Sequence, residues 1–363
     1  MQRLIQMSRF WFIVLPPALI RLACLSGGIG NSANGAEPIQ VKAVVAVTFE
    51  VGQDTGDRPG EFQFWVEGEK LDREMPFPAG VHKLRTNADQ SVLGIVTGTG
   101  PMSSSASIMA LGLDPRFDLS KAYWIVSGIA GADPEDASLG SAVWANYVLD
   151  GDLVYEVDAR EAPKSWPYSR LAIGAKRPNE LPTQGPGRDI ERLVYELNPK
   201  LVDWAYQLTK DVPLMDTPEM AKQRALYKGY PNANKPPFVL KGDDLGSGTY
   251  WHGKLMNQWA NDWVKLLTGG HGNYVMTDME DHGMATALRR LAGMKKVDFR
   301  RVLFLRTASN YCIQAPGQSV EDSLTSPYVG ALPAFDSAYR VGSVVLHQIL
   351  RQWPAHRDKI PSD

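Results

Sequence analysis

The chain has 363 residues, a formal net charge of -2 at pH 7 and 44% hydrophobic residues. A folded chain of this size buries roughly 75% of the surface that it exposes when extended, so a large core needs no covalent cross-links. The near-neutral charge gives no sign of the basic surface typical of nucleic-acid binding. With Cys24 and Cys312 as the only cysteines, a disulfide framework is excluded.

The first 36 residues have the pattern of a targeting segment. Arg3 and Arg9 supply a positive start, and residues 10–20 form an apolar stretch. That stretch is shorter than the ~20 apolar residues of a spanning helix, and a small-residue segment ending at Ala36 offers a cleavage site. We therefore expect a signal peptide and a periplasmic or secreted protein, with an uncleaved membrane anchor as the alternative.

Short apolar runs alternate with helical patterns through the rest of the chain. Strands are expected at residues 41–49, 62–66, 92–96, 124–126, 239–241 and 302–305. A small-residue helix should follow the third of these runs, and Asp336 should cap the last helix. The alternation predicts an α/β fold with a single mixed, mostly parallel sheet covered by helices.

Residues 161–237 are rich in proline, lysine and arginine and should hold helices rather than strands. Asn198 before Pro199 and Thr217 before Pro218 are patterns typical of helix starts. We expect a helical insertion here within one domain that covers residues 37–363. A long excursion beside a sheet is often functional.

The segment 271–312 predicts an acidic turn, a helix and a buried strand. Thr277 or Asp278 can cap the helix, and the strand at 302–305 leads to polar residues that include Arg306, Ser309 and Asn310. Ligands bind at the carboxyl ends of strands in open α/β sheets. A site between the acidic turn and these polar residues is therefore expected, although acidic residues also favour helix starts for electrostatic reasons alone.

A glycine-rich turn, Gly98-Thr99-Gly100, lies between a strand and a helix and could hold an anion on its N–H groups. Steric need for glycine in a tight turn is the equal alternative, because the turn lacks a dinucleotide or P-loop fingerprint. The histidines show no zinc-binding spacing, so neither a metal nor another cofactor is expected.

Residues 92–101, 124–140 and 274–311 resemble, in that order, blocks of the nucleoside phosphorylase and nucleosidase superfamily. The runs SGIAGADP at 127–134 and DMEDHG at 278–283 are similar to its branch called purine nucleoside permeases. The resemblance covers most of residues 40–355 and implies a nucleoside phosphorylase-like domain. Residues 1–36 and 161–237 lie outside the superfamily's common core.

The resemblance implies a role for each matching residue. Glu280 would accept hydrogen bonds from the 2′ and 3′ hydroxyls of a ribose, and Met279 would pack against the sugar. Ser309 and Asn310 stand where superfamily members place a residue that contacts the purine ring. The turn at Gly98, Thr99 and Gly100 would lie beside phosphate or ribose, and the base pocket would include Asp244, Tyr250, Trp251 and His252.

The chemistry of N-glycosidic cleavage fits such a set. The sugar becomes positively charged in the transition state, so a carboxylate near its hydroxyls is stabilising. The departing purine needs a donor, but the amide of Asn310 cannot deliver a proton. Residues 98–105 contain no arginine for a phosphate, although Arg58 could substitute for one. Water is therefore the favoured nucleophile, and phosphate stays open as a co-substrate.

The resemblance therefore implies a protein that binds purine nucleosides and cleaves their glycosidic bond, and so contributes to nucleoside uptake or salvage. The alternative is a non-catalytic nucleoside-binding protein that serves a separate membrane transporter. A transporter needs several spanning helices, and the sequence offers at most one poor candidate. Superfamily members commonly self-associate, so a homo-oligomer is expected by analogy.

Overall fold

The computed structural model describes residues 37–183 and 193–361. The expected signal peptide lies outside the described residues. The strands are β1 (Ile39–Gln40), β2 (Ala43–Val47), β3 (Arg73–Met75), β4 (Leu84–Thr86), β5 (Val92–Val96), β6 (Phe117–Asp118), β7 (Tyr123–Ala132), β8 (Ala142–Asp150), β9 (Val154–Glu156), β10 (Arg170–Ala172), β11 (Val194–Glu196), β12 (Val239–Gly246), β13 (Tyr274–Asp278) and β14 (Val302–Tyr311).

The helices lie between and after these strands. They are α1 (Gln63–Gly68), α2 (Pro101–Leu113), α3 (Pro199–Thr209), α4 (Pro218–Arg224), α5 (Lys254–Leu267), α6 (Asp281–Gly293), α7 (Val320–Leu324), α8 (Ala331–Arg351) and α9 (Trp353–His356), with a 3₁₀ turn at Phe299–Arg301. The predicted caps of α3 and α4 are confirmed, since Asn198 accepts from the Lys200 N–H and Thr217 from the Met220 N–H. No helix in the described part of the chain is long and apolar enough to cross a membrane.

Ten of the strands form one mixed sheet, in which five strands close on themselves. The order runs β11-β8-β12-β13-β7-β2-β5-β4-β3, and β14 pairs with both β7 and β8. The circuit β8-β12-β13-β7-β14 is therefore a closed, barrel-like ring. The α/β class is confirmed, but a mostly parallel sheet is wrong, because β13 and β14 each pair antiparallel with one neighbour in the ring.

The core follows from the composition of the central strands. All five residues of β2 and of β5 are buried, as expected for strands covered on both faces. On one side α8 presents Val341, Val345 and Ile349, all fully buried. Side chains of this size contribute roughly 1.5–3 kcal/mol each on burial. The apolar strands thus fix a rigid platform whose carboxyl ends carry the polar groups described below.

Two strands, β12 and β14, are longer than the apolar runs that mark them in the sequence. The run at 302–305 continues as β14 to Tyr311, so Arg306, Ser309 and Asn310 lie within the strand rather than beyond it. β12 likewise continues beyond the expected end at residue 241 to Gly246, and so contains Asp244. In β14 the side chains of Arg306 and Ser309 are buried and have polar partners, a condition that composition alone does not show.

Several local expectations are wrong. Residues 62–66 begin α1 rather than a strand, and Phe62, Trp65 and Val66 are buried at helical spacing. The region 161–237 contains the short strands β10 and β11 besides its helices. Asp336 lies inside α8, which starts at Ala331, and does not cap it. The short run 62–66 is compatible with both a strand and a helix, and packing of its apolar side chains selected the helix.

Candidate functional site

A cavity of about 180 Å³, open to solvent, lies where the carboxyl ends of several strands meet. Its lining comes from the ends of β7, β13 and β14 and from the segments after β2 and β5. These residues are Thr48, Phe49, Glu61, Thr99, Ile129, Ala130, Gly131, Tyr250, Thr277, Asp278, Met279, Glu280, Ser309, Asn310 and Tyr328. The structure therefore has a cavity at the position where a site between the acidic turn and β14 was expected.

Glu280 stands at the start of α6 and is held by backbone groups. One carboxylate oxygen accepts from the Gly100 N–H at 2.9 Å. The Asp278 carboxylate accepts from the N–H groups of Glu280 and Asp281 at 2.9 and 2.8 Å, and so shapes the turn. Burial, the neighbouring Asp278 and the more distant Glu61 raise the pKa of Glu280 to about 7, against Arg306 and the Gly100 N–H. Met279 lines the cavity beside it.

Among the described residues that line the cavity or directly contact its lining, Arg306 is the one cation. It lies beneath the carboxyls of the acidic turn and is 2% exposed. Its guanidinium pairs in a fork with the Asp281 carboxylate and lies 2.6 Å from Asp278. Glu280 and Glu61 follow at 3.8 and 3.9 Å. Burial raises the pKa of Asp281 to about 8, although Arg306 opposes that shift. The polar end of β14 thus organises the acidic turn from below.

Glu61 is a functional candidate that the sequence reasoning missed. Its carboxylate accepts from the Thr48 hydroxyl and N–H and from the Ile129 N–H. Burial raises its pKa, opposed by Arg306 and these hydrogen bonds. The available signal in the sequence is a glutamate directly before the apolar run 62–66, a run that the sequence analysis predicts as a strand.

The opposite end of the cavity is neutral and hydroxyl-rich. The Asn310 side-chain N–H₂ donates to the Tyr311 carbonyl and the Tyr250 hydroxyl, both at 3.2 Å. The Asn310 side-chain oxygen accepts from the Tyr328 hydroxyl at 2.9 Å and the Ser309 hydroxyl at 3.1 Å. The backbone carbonyl fixes the orientation of the amide, because it can only accept.

The aromatic residues predicted for the base pocket lie around this neutral end. Tyr250 lines the cavity, and Trp251 lines an adjoining hollow together with Met279 and Asn310. His252 lines a further polar pocket beside Asn310, where its Nε2 atom lies 3.1 Å from the Ser323 hydroxyl. Burial lowers the pKa of His252. Tyr328, which was not predicted from the sequence, lines both the cavity and the polar pocket that contains His252.

The glycine turn and Arg58 differ from expectation in their partners. Gly98 and Gly100 have φ of +89° and +85°, which explains the glycines sterically. Thr99 lines the cavity, but the Gly100 N–H already donates to Glu280 rather than pointing free. Arg58 is exposed in the loop after β2 and is absent from the cavity lining.

Asp244 lies beneath the site rather than in the base pocket, and it is 1% exposed. Its carboxyl comes within 4.8 Å of those of Asp278 and Asp281, a grouping that could hold a metal. Arg306 already pairs with two of the three, so a cation is in place there. A second group, Asp150, Asp152 and His282, is held by the His282 hydrogen bond to Asp152 at 3.1 Å.

Comparison with known proteins assigns the family. The family model described as purine nucleoside permease matches residues 40–361, which is nearly all of the described chain. The chain belongs to the purine nucleoside permease family. A relative from Schizosaccharomyces pombe named "Probable purine nucleoside permease" is 32% identical over 280 residues, covering 75% of this chain and 79% of its own. A "Purine nucleoside permease" from Candida albicans is 30% identical over 275 residues, covering 74% of this chain and 66% of its own.

Solved structures similar to this chain include a protein named as a hydrolase and one named as a nucleosidase. Futalosine hydrolase of Helicobacter pylori aligns with a TM-score of 0.51 at 12% identity, covering 85% of this chain and 98% of that one. The 5′-methylthioadenosine/S-adenosylhomocysteine nucleosidase of Streptococcus pneumoniae gives 0.50 at 16% identity, covering 84% and 98%. At these identities the likeness establishes a shared α/β fold.

Proposed function

We propose that this purine nucleoside permease family member binds purine nucleosides in the central cavity and hydrolyses their N-glycosidic bond. The observation that carries the proposal is the pair of buried glutamates, Glu61 and Glu280, that line one end of a cavity whose other end is neutral and aromatic. A sugar fits the first environment and a purine the second. The nucleosidase-like fold and the family support the same substrate class.

The acidic end suits a sugar that becomes positively charged. Glu280 accepts hydrogen bonds from the ribose hydroxyls, and its charge stabilises the oxocarbenium-like transition state. Met279 packs against the sugar. Glu61 lines the same end and has a raised pKa, which makes its carboxylate a better base for a water molecule. We therefore assign Glu280 to sugar binding and Glu61 to water activation.

The neutral end holds the purine but has no strong acid. A purine ring nitrogen can replace the Tyr250 hydroxyl as the acceptor of one Asn310 side-chain N–H. Tyr250 and Trp251 offer aromatic surface for the base. Burial raises the pKa of Tyr328 to about 12, so its hydroxyl donates a hydrogen bond without losing its proton. Leaving-group assistance is thus limited to hydrogen bonding, and most of the catalytic effect must come from the acidic end.

Water suits this cavity better than phosphate as the attacking group. Three lining side chains, Glu61, Asp278 and Glu280, are carboxyls, and they repel an anion. Arg306 lies beneath them, already paired with Asp278 and Asp281. Phosphorolysis would need a phosphate partner such as Arg58 to move in from the exposed loop.

A non-catalytic carrier is the second candidate, and the specific observation that favours it is Asn310, which cannot transfer a proton. In that case the protein would bind nucleosides and supply them to a separate membrane transporter. We place either activity outside the inner membrane, on the pattern of residues 1–36, and expect a homo-oligomer by analogy with the superfamily.

The deciding experiment incubates purified protein with inosine or adenosine and follows free purine by chromatography at varied phosphate. Release that is independent of phosphate is expected. Release that depends on phosphate would instead indicate a phosphorylase, and saturable calorimetric binding without release would indicate the carrier. Absence of both binding and release would reject nucleosides as ligands.

A further inference from the structure

The most unusual buried group outside the cavity lining is the Asp244 carboxyl. Both of its oxygens are buried, and neither meets an N–H or O–H donor within residues 37–183 and 193–361. A buried carboxylate without donors is strongly unfavourable. A bulge between Asp243 and Asp244, where β12 pairs with β13, brings the side chain under the acidic turn.

Asp278, unlike Asp244, has hydrogen-bond donors around one of its carboxylate oxygens. One Asp278 oxygen accepts from two backbone N–H groups and from Arg306, whereas the other has no donor among the described residues. Oxygens of Asp244 and Asp278 lie within 4.8 Å of each other. Two carboxyls can form a hydrogen bond only when one of them carries a proton. Because Asp278 has the stabilising donors, the proton belongs on Asp244.

We propose that Asp244 is a permanently protonated positioning residue, which donates a hydrogen bond to Asp278 and thereby fixes the turn that presents Glu280 to the cavity. The inference rests on the proposed function only for its effect on nucleosides, since the protonation itself is a property of the fold. The titratable and charged groups that face Asp244 are Asp278, Asp281, Arg306, Tyr274 and Cys312.

The electrostatics agree with this geometry. Burial first, and then the charges of Asp278 and Asp281, raise the pKa of Asp244 well above its usual value, against the effect of Arg306. The pKa of Asp278 is lowered, because Arg306, Asp244 and the Glu280 N–H together outweigh its burial. The two carboxyls are thus driven apart in protonation, as expected when like groups share one site.

The sign of the pH effect follows from these protonation states. In the unfolded chain Asp244 loses its proton above pH ~4, whereas in the folded chain it keeps the proton at neutral pH. Folding then takes up a proton, so this residue makes the protein less stable as the pH rises from ~4 toward the folded pKa. Asn has the same shape and a permanent N–H donor, and it carries no such penalty.

The test compares Asp244→Asn with Asp244→Leu. In thermal unfolding, we expect the melting temperature of D244N minus that of wild type to increase by roughly 2–4 °C for each unit by which the pH rises between 5 and 8. A difference that does not change with pH would overturn the proposal, because it would mean that Asp244 is ionised in the fold. This arm needs no substrate and is decided even if nucleosides do not bind.

The second arm measures nucleoside KM, or Kd by calorimetry, with inosine. D244N should stay within about twofold of wild type, and D244L should be weakened by about tenfold or more, since Asp278 loses a donor. Asp243→Asn is the matched control on the same strand, because Asp243 accepts from the Tyr147 and Asn273 N–H groups away from the turn. Equal weakening in D244N and D244L would overturn the positioning role.

Discussion

The two ends of the central cavity differ in charge, because one end is lined by carboxyls and the other by neutral groups. At the acidic end, which we call the sugar end after the proposed function, Glu61 and Glu280 are buried carboxyls that lie close to Arg306. Burial raises the pKa of both. At the base end, Asn310 and Tyr328 are neutral groups that satisfy one another by hydrogen bonds. Under the proposed function, the carboxyls lie where positive charge would develop on the sugar, and the neutral end would recognise the base.

The largest expected effect is from removing charge at the sugar end. Glu280→Gln keeps the size of the side chain but loses the negative charge and one acceptor, so we expect about a 10³-fold loss in kcat/KM for inosine. Steady-state assays of free purine measure it. The control is Glu135→Gln, a change at an exposed residue. Full activity in E280Q would contradict the assignment of the sugar end.

The pH dependence of activity sharpens the same comparison. Because the pKa of Glu280 is about 7, kcat/KM should rise nearly tenfold per pH unit below that value and level off above it. Stability should move the other way, since a carboxyl with a raised folded pKa favours the folded state less as pH rises from ~4.5 to about 7. A profile that is flat from pH 5.5 to 8 would refute a catalytic role for the ionised carboxylate.

A smaller effect is expected at the base end. Tyr328→Phe removes the hydroxyl that donates to the Asn310 side-chain oxygen at 2.9 Å. The amide then loses one of its fixed partners, so KM should rise roughly three- to tenfold while kcat stays within about twofold. Tyr155→Phe, at an exposed tyrosine on β9, is the control. A large fall in kcat instead would mean that the base end takes part in the chemistry.

The smallest effect is expected outside the cavity. Arg58 is exposed and does not line the site, so Arg58→Ala should leave the rate unchanged within about twofold at any phosphate concentration. The measurement is purine release from inosine with and without phosphate. A loss confined to phosphate-containing reactions would show that the loop closes over an anion and would favour phosphorolysis.

The elements of the fold could be predicted where one period was unambiguous. The apolar strands β2 and β5 and the capped helices α3 and α4 follow from local patterns. The prediction for residues 62–66, directly after Glu61, was wrong because a five-residue, mostly apolar run fits a strand and a short helix equally well. The end of β14 was not predicted for another reason, since the buried ion pairs of Arg306 permit a charged residue inside a strand.

The sequence by itself determined the family, the α/β class and the position of the acidic turn next to the polar end of β14. Those features are local or lie in contiguous motifs. Only the tertiary structure decided that Glu61 joins Glu280, that the Gly100 N–H holds a carboxylate, and that Asp244 lies beneath the site. The physical reason is that partners separated by 180 residues in the chain meet only when the sheet closes, and closure also sets which charges are buried together.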